Sequence, residues 1–239
     1  MSTVARMPLA AKTAVQGVIF DMDGVIVDSH PSHRKAWHQF LQSVGKDVSE
    51  RELDFILDGR KRHEILRHFL GELSDDELAE YGNRKDEFFQ QALSNVKSVP
   101  GVIDFVRELK KCRIPLALAT SGSKRRAQFT LRRLQLTDYF QAVITGNDVA
   151  EGKPDPAIYC VACEQLDVPS ERVLAFEDAV SGVHAARAAG IQCVGVGETE
   201  QAEKLRQAGA AHVIQSFVGF TVRECETILV NHGNHANRT

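Results

Sequence analysis

Apolar residues follow two rhythms along this chain, and the change between them divides it. Short unbroken apolar runs recur at Val18-Ile19-Phe20, Pro115-Leu116-Ala117-Leu118-Ala119, Ala142-Val143-Ile144, Val173-Leu174-Ala175-Phe176 and Cys193-Val194-Gly195-Val196. Runs of this length bounded by turn residues predict strands buried on both faces. Val213-Ile214 predicts a last short strand. Helical spacing fills the intervals: VIDFVRELK after the Pro100-Gly101 breaker, then 124–136, 157–166 and 180–189. Strands alternating with helices predict βαβ units and a mostly parallel sheet.

The second rhythm fills 32–95, where no strand is predicted. Ala36, Trp37, Phe40, Leu41 and Val44 fall on one helical face. Ser49-Glu50-Arg51-Glu52 reads as a capped helix start, DGRKR at 58–62 as a loop before HEILRHFL, and Ser74-x-x-Glu77 as a capping box opening a helix through Leu93. The predicted organisation is an α/β core over 17–31 and 97–230, a small helical insert over 32–96, and flexible tails at 1–16 and 231–239. If both ends of the insert return to one sheet edge, it hangs over that edge as a hinged cap.

At 239 residues the chain can bury a sizeable core, and 43% hydrophobic with 26% charged residues is ordinary for a globular protein. A net charge of −3 offers no general attraction to nucleic acid or to an anionic membrane. The paired arginines at 125–126 and 132–133 lack interleaved aromatics and read as a solvated helix face. No apolar run is long enough to span a bilayer, and no secretory signal is apparent at the start. Five scattered cysteines are not a disulfide framework. Cys160-x-x-Cys163 lies in a predicted helix and reads as packing. These features fit a cytoplasmic monomer.

The chemistry gathers at the strand ends. The first strand stops at Asp21-Met22-Asp23-Gly24, the second at Thr120-Ser121-Gly122, and the fourth at Glu177-Asp178; the loop after the third carries Lys153. In open parallel sheets the C-terminal strand edge is where ligands bind. Clustered carboxylates are hard oxygen ligands suited to Mg²⁺. A carboxylate can act as a covalent nucleophile, and a metal with a lysine can offset its repulsion from a phosphate. A second carboxyl two residues on faces the same side of an extended segment and can exchange protons with the leaving oxygen and with water. Crowding raises carboxyl pKa values, so one of them can hold a proton.

Four motifs in order, DMDGV, LALATSGS, GKPDP and FEDAVSGVHAARAAG, resemble those of the haloacid dehalogenase superfamily over nearly the whole chain. The resemblance implies a Rossmann-like core with an inserted helical cap. It implies Asp21 as nucleophile, Asp23 as general acid/base, Thr120 as phosphate ligand with Ser121 and Gly122 beside it, and Lys153 as charge anchor. It implies Mg²⁺ held by Asp21, the main-chain oxygen of Asp23 and Asp178, with Glu177 helping directly or through water. The insert is most similar to that of the β-phosphoglucomutase and sugar-phosphatase branch, which implies substrate contacts at Arg62, Lys85 and His33, the last as a histidine linked to the general acid/base.

Two departures separate the chain from the mutase pattern. Gly122-Ser123-Lys124-Arg125 stands where the mutase has Ser-Lys-Asn, and Gly59-Arg60-Lys61-Arg62 where it has Gly-Val-Ser-Arg. The expected activity is therefore a phosphatase of small phosphorylated metabolites such as sugar phosphates, with a β-phosphoglucomutase-type mutase as the alternative. Asp23 argues against a dehalogenase, and the intact set of Asp21, Asp23, Lys153 and Asp178 argues against a non-catalytic binding protein.

Overall fold

Strands and helices alternate as the apolar runs predict. The computed structural model describes residues 14–57, 60–92 and 97–236. In chain order the strands are β1 (Gly17–Phe20), β2 (Val27–Asp28), β3 (Lys97–Ser98), β4 (Leu116–Thr120), β5 (Ala142–Thr145), β6 (Val173–Glu177), β7 (Gln192–Val196) and β8 (His212–Ile214). The helices are α1 (His30–Ser43), α2 (Arg62–Leu70), α3 (Asp75–Ala92), α4 (Val102–Lys111), α5 (Lys124–Arg133), α6 (Ala157–Leu166), α7 (Val180–Ala188), α8 (Thr199–Gln207) and α9 (Val222–Ala236).

Six strands form one sheet in the order β5-β4-β1-β6-β7-β8, every neighbouring pair parallel. β1 lies inside it, between β4 and β6. From β1 the chain builds the sheet outward on one side through β4 and β5, then crosses back to β6. The crevice at that reversal opens at the strand ends that carry the acids.

Period-two alternation assigns the core. Phe20, Leu116, Leu118, Leu174 and Phe176 face α4 and the segment before α9, where Phe105, Phe217 and Phe220 complete an aromatic cluster. Phe20 and Phe176 stack at 5.2 Å between ring centroids. The other face is filled by small residues, Ala117, Ala119 and Ala175, and these let α6 and α7 approach closely. Cys163 is packed there and all five cysteines are free.

The helical segment between β2 and β3 has its own cluster, with Trp37, Phe40, Leu41, Ile65, Leu66 and Phe69 at its centre. Ser74 and Glu77 make the expected capping box, with the Glu77 carboxylate accepting from the Ser74 N–H and hydroxyl, 2.8 Å each. Ser49 and Glu52 make the same box, but it opens a 3₁₀ turn, Glu52–Leu57, rather than an α-helix. Of the loop expected at 58–62, Asp58 and Gly59 lie outside the described residues and Arg62 already begins α2.

Some elements were not expected, and some boundaries differ from those expected. β2 and β3 pair antiparallel, Val27 with Ser98 and Asp28 with Lys97, and clasp the two ends of the insert. Two-residue strands carry no periodicity to read. α1 starts at His30, two residues before the expected boundary. The core begins before the expected Gly17: Val15 is fully buried and the Gln16 N–H donates to the Arg172 carbonyl at 2.8 Å. Residues 1–13 lie outside the described residues. At the other end α9 continues through Ala236, into the stretch expected to be a tail. Among the described residues no helix is long and apolar enough to cross a membrane.

Candidate active site

Asp21 is the first residue beyond β1, and the register decides what it meets. Phe20 pairs with Phe176, so Asp21 and Glu177 stand level on adjacent strands. Both follow the alternation to the α6 face. Lys153, in the loop before α6, reaches up between them: its ammonium donates to Asp21 Oδ1 at 2.6 Å, to Glu177 Oε1 at 2.5 Å and to the Ala119 carbonyl at 3.0 Å. It is almost wholly buried. The Tyr159 hydroxyl of α6 adds a bond of 2.6 Å to Glu177 Oε1. Glu177 Oε2 accepts from the N–H groups of Asp178 and Ala179. Both Glu177 oxygens are thus engaged by the protein, whereas Asp21 faces the cleft.

One ammonium shared by two carboxylates cannot neutralise both. Burial raises the Asp21 pKa well above the ordinary carboxylate value; Lys153 opposes this, and Glu177 and Asp178 reinforce it. Burial works against the Lys153 charge, but Asp21 and Glu177 outweigh it and push its pKa up.

Asp21 and Asp23 line one cleft, but the segment that carries them bends at Met22 instead of running extended. The chain turns at Asp23-Gly24, with Gly24 at φ 72°. A β-carbon on Gly24 would collide with the Asp178 carboxylate, so the turn requires glycine for both reasons. Asp23 Oδ1 accepts from the Ser29 hydroxyl (2.5 Å) and Arg126 Nη1 (2.8 Å), with His33 Nε2 at 3.1 Å; Arg126 Nη2 bonds Oδ2 at 2.7 Å. Burial would raise the Asp23 pKa, but Arg126 and His33 hold it well below the ordinary value. Of the two crowded acids, Asp21 is therefore pushed up and Asp23 down.

Asp178, the residue after β6, is fixed by His30 Nε2 at 2.7 Å. Burial disfavours the charge on His30, yet Asp178 raises its pKa to about 9. Asp21, Glu177 and Asp178 each present an oxygen within 4.8 Å of the others. The set is three buried carboxylates short of one positive charge, and hard oxygen donors so placed fit a divalent cation.

Thr120 and Ser121 open the turn at the end of β4, and the Thr120 hydroxyl accepts from the Gly122 N–H at 3.1 Å. Thr120, Ser121 and Gly122 line the same cleft as Asp21, Asp23, Glu177 and Asp178, a space of about 90 Å³. The helical insert supplies the facing wall: His33, Arg62 and Lys85. Arg62 donates to Asp86 at 2.8 Å. Lys85 lies 3.5 Å from His33 Nδ1 and over the rings of Trp37 and Phe89, 5.3 and 4.8 Å from their centroids. Lys153 alone of the expected site residues stands behind the cleft, underneath Asp21.

Burial lowers the His33 pKa to about 3, with Lys85 and Arg126 adding to the effect. Burial, with Arg126 next, lowers that of Lys85 to about 7 from 10.5. Between those two values the unfolded chain binds the lysine proton more tightly than the folded one, so stability rises with pH across the window. Lys85→Met is therefore expected to raise the thermal midpoint near neutral pH by about 4 °C or more, the gain shrinking as pH approaches about 10. A gain that stays constant with pH would trace to packing alone.

Some residues at the site were not anticipated. Arg126, read as part of a solvated basic face, is nine-tenths buried as a side chain and reaches the cleft. The helix phase carries the signal: Ala127, Thr130 and Leu131 are the buried positions of α5, and Arg126 precedes Thr130 by four residues. Arg125 precedes the exposed Phe129 and stays outside. His30, Ser29 and Tyr159 carried no such signal. Lys61 is a further addition, buried where the insert meets the core. Its ammonium donates to the carbonyls of Val149 and Ala150, 2.7 Å each, in the loop that leads to Lys153.

Residues 18–196 match the family described as haloacid dehalogenase-like hydrolase. The "Phosphorylated carbohydrates phosphatase" of Thermotoga maritima is 38% identical over 205 residues, 84% of this chain and 94% of that one. The "Beta-phosphoglucomutase" of Bacillus subtilis is 34% identical over 194 residues, covering 77% and 84%. In fold, the crystal structure of β-phosphoglucomutase from Clostridium difficile superposes with a TM-score of 0.81 at 24% identity, covering 91% of this chain and 98% of that one. Four strand-end motifs, a buried lysine between paired carboxylates and these relatives converge on one conclusion: the chain belongs to the haloacid dehalogenase-like hydrolases, as an enzyme of the phosphatase or phosphomutase type.

Proposed function

We propose that this chain is a Mg²⁺-dependent phosphatase of small phosphorylated metabolites, sugar phosphates above all, acting through an aspartyl-phosphate on Asp21. The observation that carries this reading is the position of Asp21. It sits at the end of an interior strand with one oxygen on buried Lys153, and it faces a cleft whose far wall is cationic. Asp21 attacks phosphorus, and the ester oxygen leaves with a proton from Asp23, a role that requires this carboxyl first to shed the cationic contact that keeps it ionised. Water then attacks the same phosphorus, Asp23 takes its proton, and Asp21 is regenerated. Thr120 donates to a phosphate oxygen, and Lys153 keeps Asp21 oriented. Asp21, Asp178 and the main-chain oxygen of Asp23 would hold Mg²⁺, with Glu177 beside them. Bound there, the cation offsets the repulsion between carboxylate and phosphate and aligns the two. The helical insert acts as the cap that selects the substrate through Arg62, Lys85 and His33.

A sugar-phosphate panel, run with and without a bisphosphate primer and following both free phosphate and isomerised product, tests the reading. Phosphate release without isomerisation, lost in excess chelator and restored by Mg²⁺, is the expected result. Full activity in chelator would overturn the metal dependence. Primer-dependent isomerisation would assign the chain to the mutase alternative, the activity named for its Bacillus subtilis relative.

A further inference from the structure

We propose that Arg126 is a substrate-binding residue: its guanidinium takes the phosphate of the ester and, in turning to it, leaves Asp23 free to face the leaving oxygen. The proposal rests on the phosphatase reading for the identity of the anion. The side chain starts in the first turn of α5 and runs back over Gly122, where a β-carbon would collide with Nη2 and lie 2.7 Å from Cζ. The guanidinium therefore lies against the turn that carries Thr120 and Ser121, the turn that presents a hydroxyl to the cleft. A phosphate seated on that turn is within reach of Arg126 by side-chain rotation.

Asp23 has the character of a stand-in partner. Its Oδ1 is crowded by Ser29, His33 and Arg126 together, and Arg126 also holds Oδ2. While that fork stays closed, the carboxyl group is turned to the guanidinium rather than to an ester oxygen. Ser29 and His33 belong to the start of α1 and keep Asp23 in place when Arg126 leaves. The contact between Arg126 Nη1 and His33 Nε2, 2.6 Å, is a conflict. Nε2 either donates to Asp23 or accepts from Arg126. With the Lys85 ammonium at Nδ1, the tautomer that satisfies both Asp23 and Lys85 turns an N–H toward the guanidinium. A phosphate dianion resolves this. It offers the same fork geometry as a carboxylate with about twice the charge.

Inorganic phosphate is the probe that tests the assignment. Its binding is read by calorimetry in the presence of Mg²⁺ for wild type, Arg126→Ala, Arg126→Lys and Arg125→Ala. KM and kcat are measured beside it on whichever sugar phosphate the panel selects. In Arg126→Ala, phosphate binding is expected to weaken and KM to rise by about tenfold or more, with partial recovery in Arg126→Lys. Arg125→Ala, its exposed neighbour, is expected to match wild type. Phosphate affinity and KM within about twofold of wild type in Arg126→Ala, with kcat unchanged or raised, would reduce Arg126 to a counter-ion for Asp23 and overturn the proposal. Failure of wild type to bind phosphate would overturn it as well. Arg126→Lys keeps a cation at the position, so the comparison stands even if the alanine protein does not fold. If wild type binds phosphate through Arg126 yet releases none from any ester, the phosphatase reading fails and the binding assignment survives.

Discussion

Asp21→Asn is expected to abolish turnover, by about ten-thousand-fold or more, while leaving the protein at least as stable as wild type. The first half follows from valence: an amide has no anionic oxygen to attack phosphorus, and loss of the group that forms the covalent bond removes the whole route. The second half follows from Lys153. In wild type one buried ammonium serves two carboxylates, with a third, Asp178, close by. Replacing Asp21 by its neutral isostere leaves a one-to-one pair, Lys153 with Glu177, and removes one desolvated charge from a crowded site. Urea unfolding in metal-free buffer, beside a single-turnover assay, separates the two effects. A variant that loses stability together with activity would show that Asp21 is part of the structural network rather than a charge the fold tolerates for chemistry.

Lys153→Met tests the same site from the other direction. Methionine keeps most of the apolar stem but deletes the ammonium, which lies 5.3 Å from the Tyr159 ring centroid, and Asp21 and Glu177 then face each other with no cation between them. Stranding buried carboxylates in this way costs about 3–5 kcal/mol, a large part of the stability of an ordinary domain. Activity is expected to vanish with it. Sign and pH dependence distinguish this cause from lost packing. A carboxyl left without its lysine has a folded pKa above its unfolded one, so it favours folding when protonated and opposes folding when ionised. The deficit should be smaller at about pH 5 than at about pH 8. Adding Asp21→Asn to Lys153→Met should restore part of the loss, because the two substitutions act on one contact. Additive losses would place the lysine's contribution elsewhere.

Much of this was legible in the residues because the signals were local. Val18-Ile19-Phe20 and Val173-Leu174-Ala175-Phe176 announce interior strands by being apolar without a break, and both stop at acids. The acids thereby declare which edge of the sheet is used. Lys153 was legible only through its motif, since nothing in a loop lysine says that it will be buried. Arg126 went unread because two adjacent arginines look alike in composition and differ only in helix phase. The bend between Asp21 and Asp23 was misread because strand alternation was carried three residues beyond the end of β1, past Met22. The β2–β3 clasp was illegible in principle: its partners lie about seventy residues apart, and two residues have no period.

That clasp bears on the order in which the chain assembles. β1 must pair with β4 across about a hundred intervening residues, and closing a loop of that length carries an entropy cost before any sheet bond is gained. The segment between β2 and β3 has its own apolar centre and short-range contacts. Once its ends are brought together at Val27–Asp28 and Lys97–Ser98, the loop that remains between β1 and β4 is about thirty residues long. The saving is about 1 kcal/mol in the search for the first long-range strand pair, enough to speed that step several-fold. A clasp of two residues per strand thus acts early, as a shortcut in folding, before the finished enzyme has any substrate to enclose.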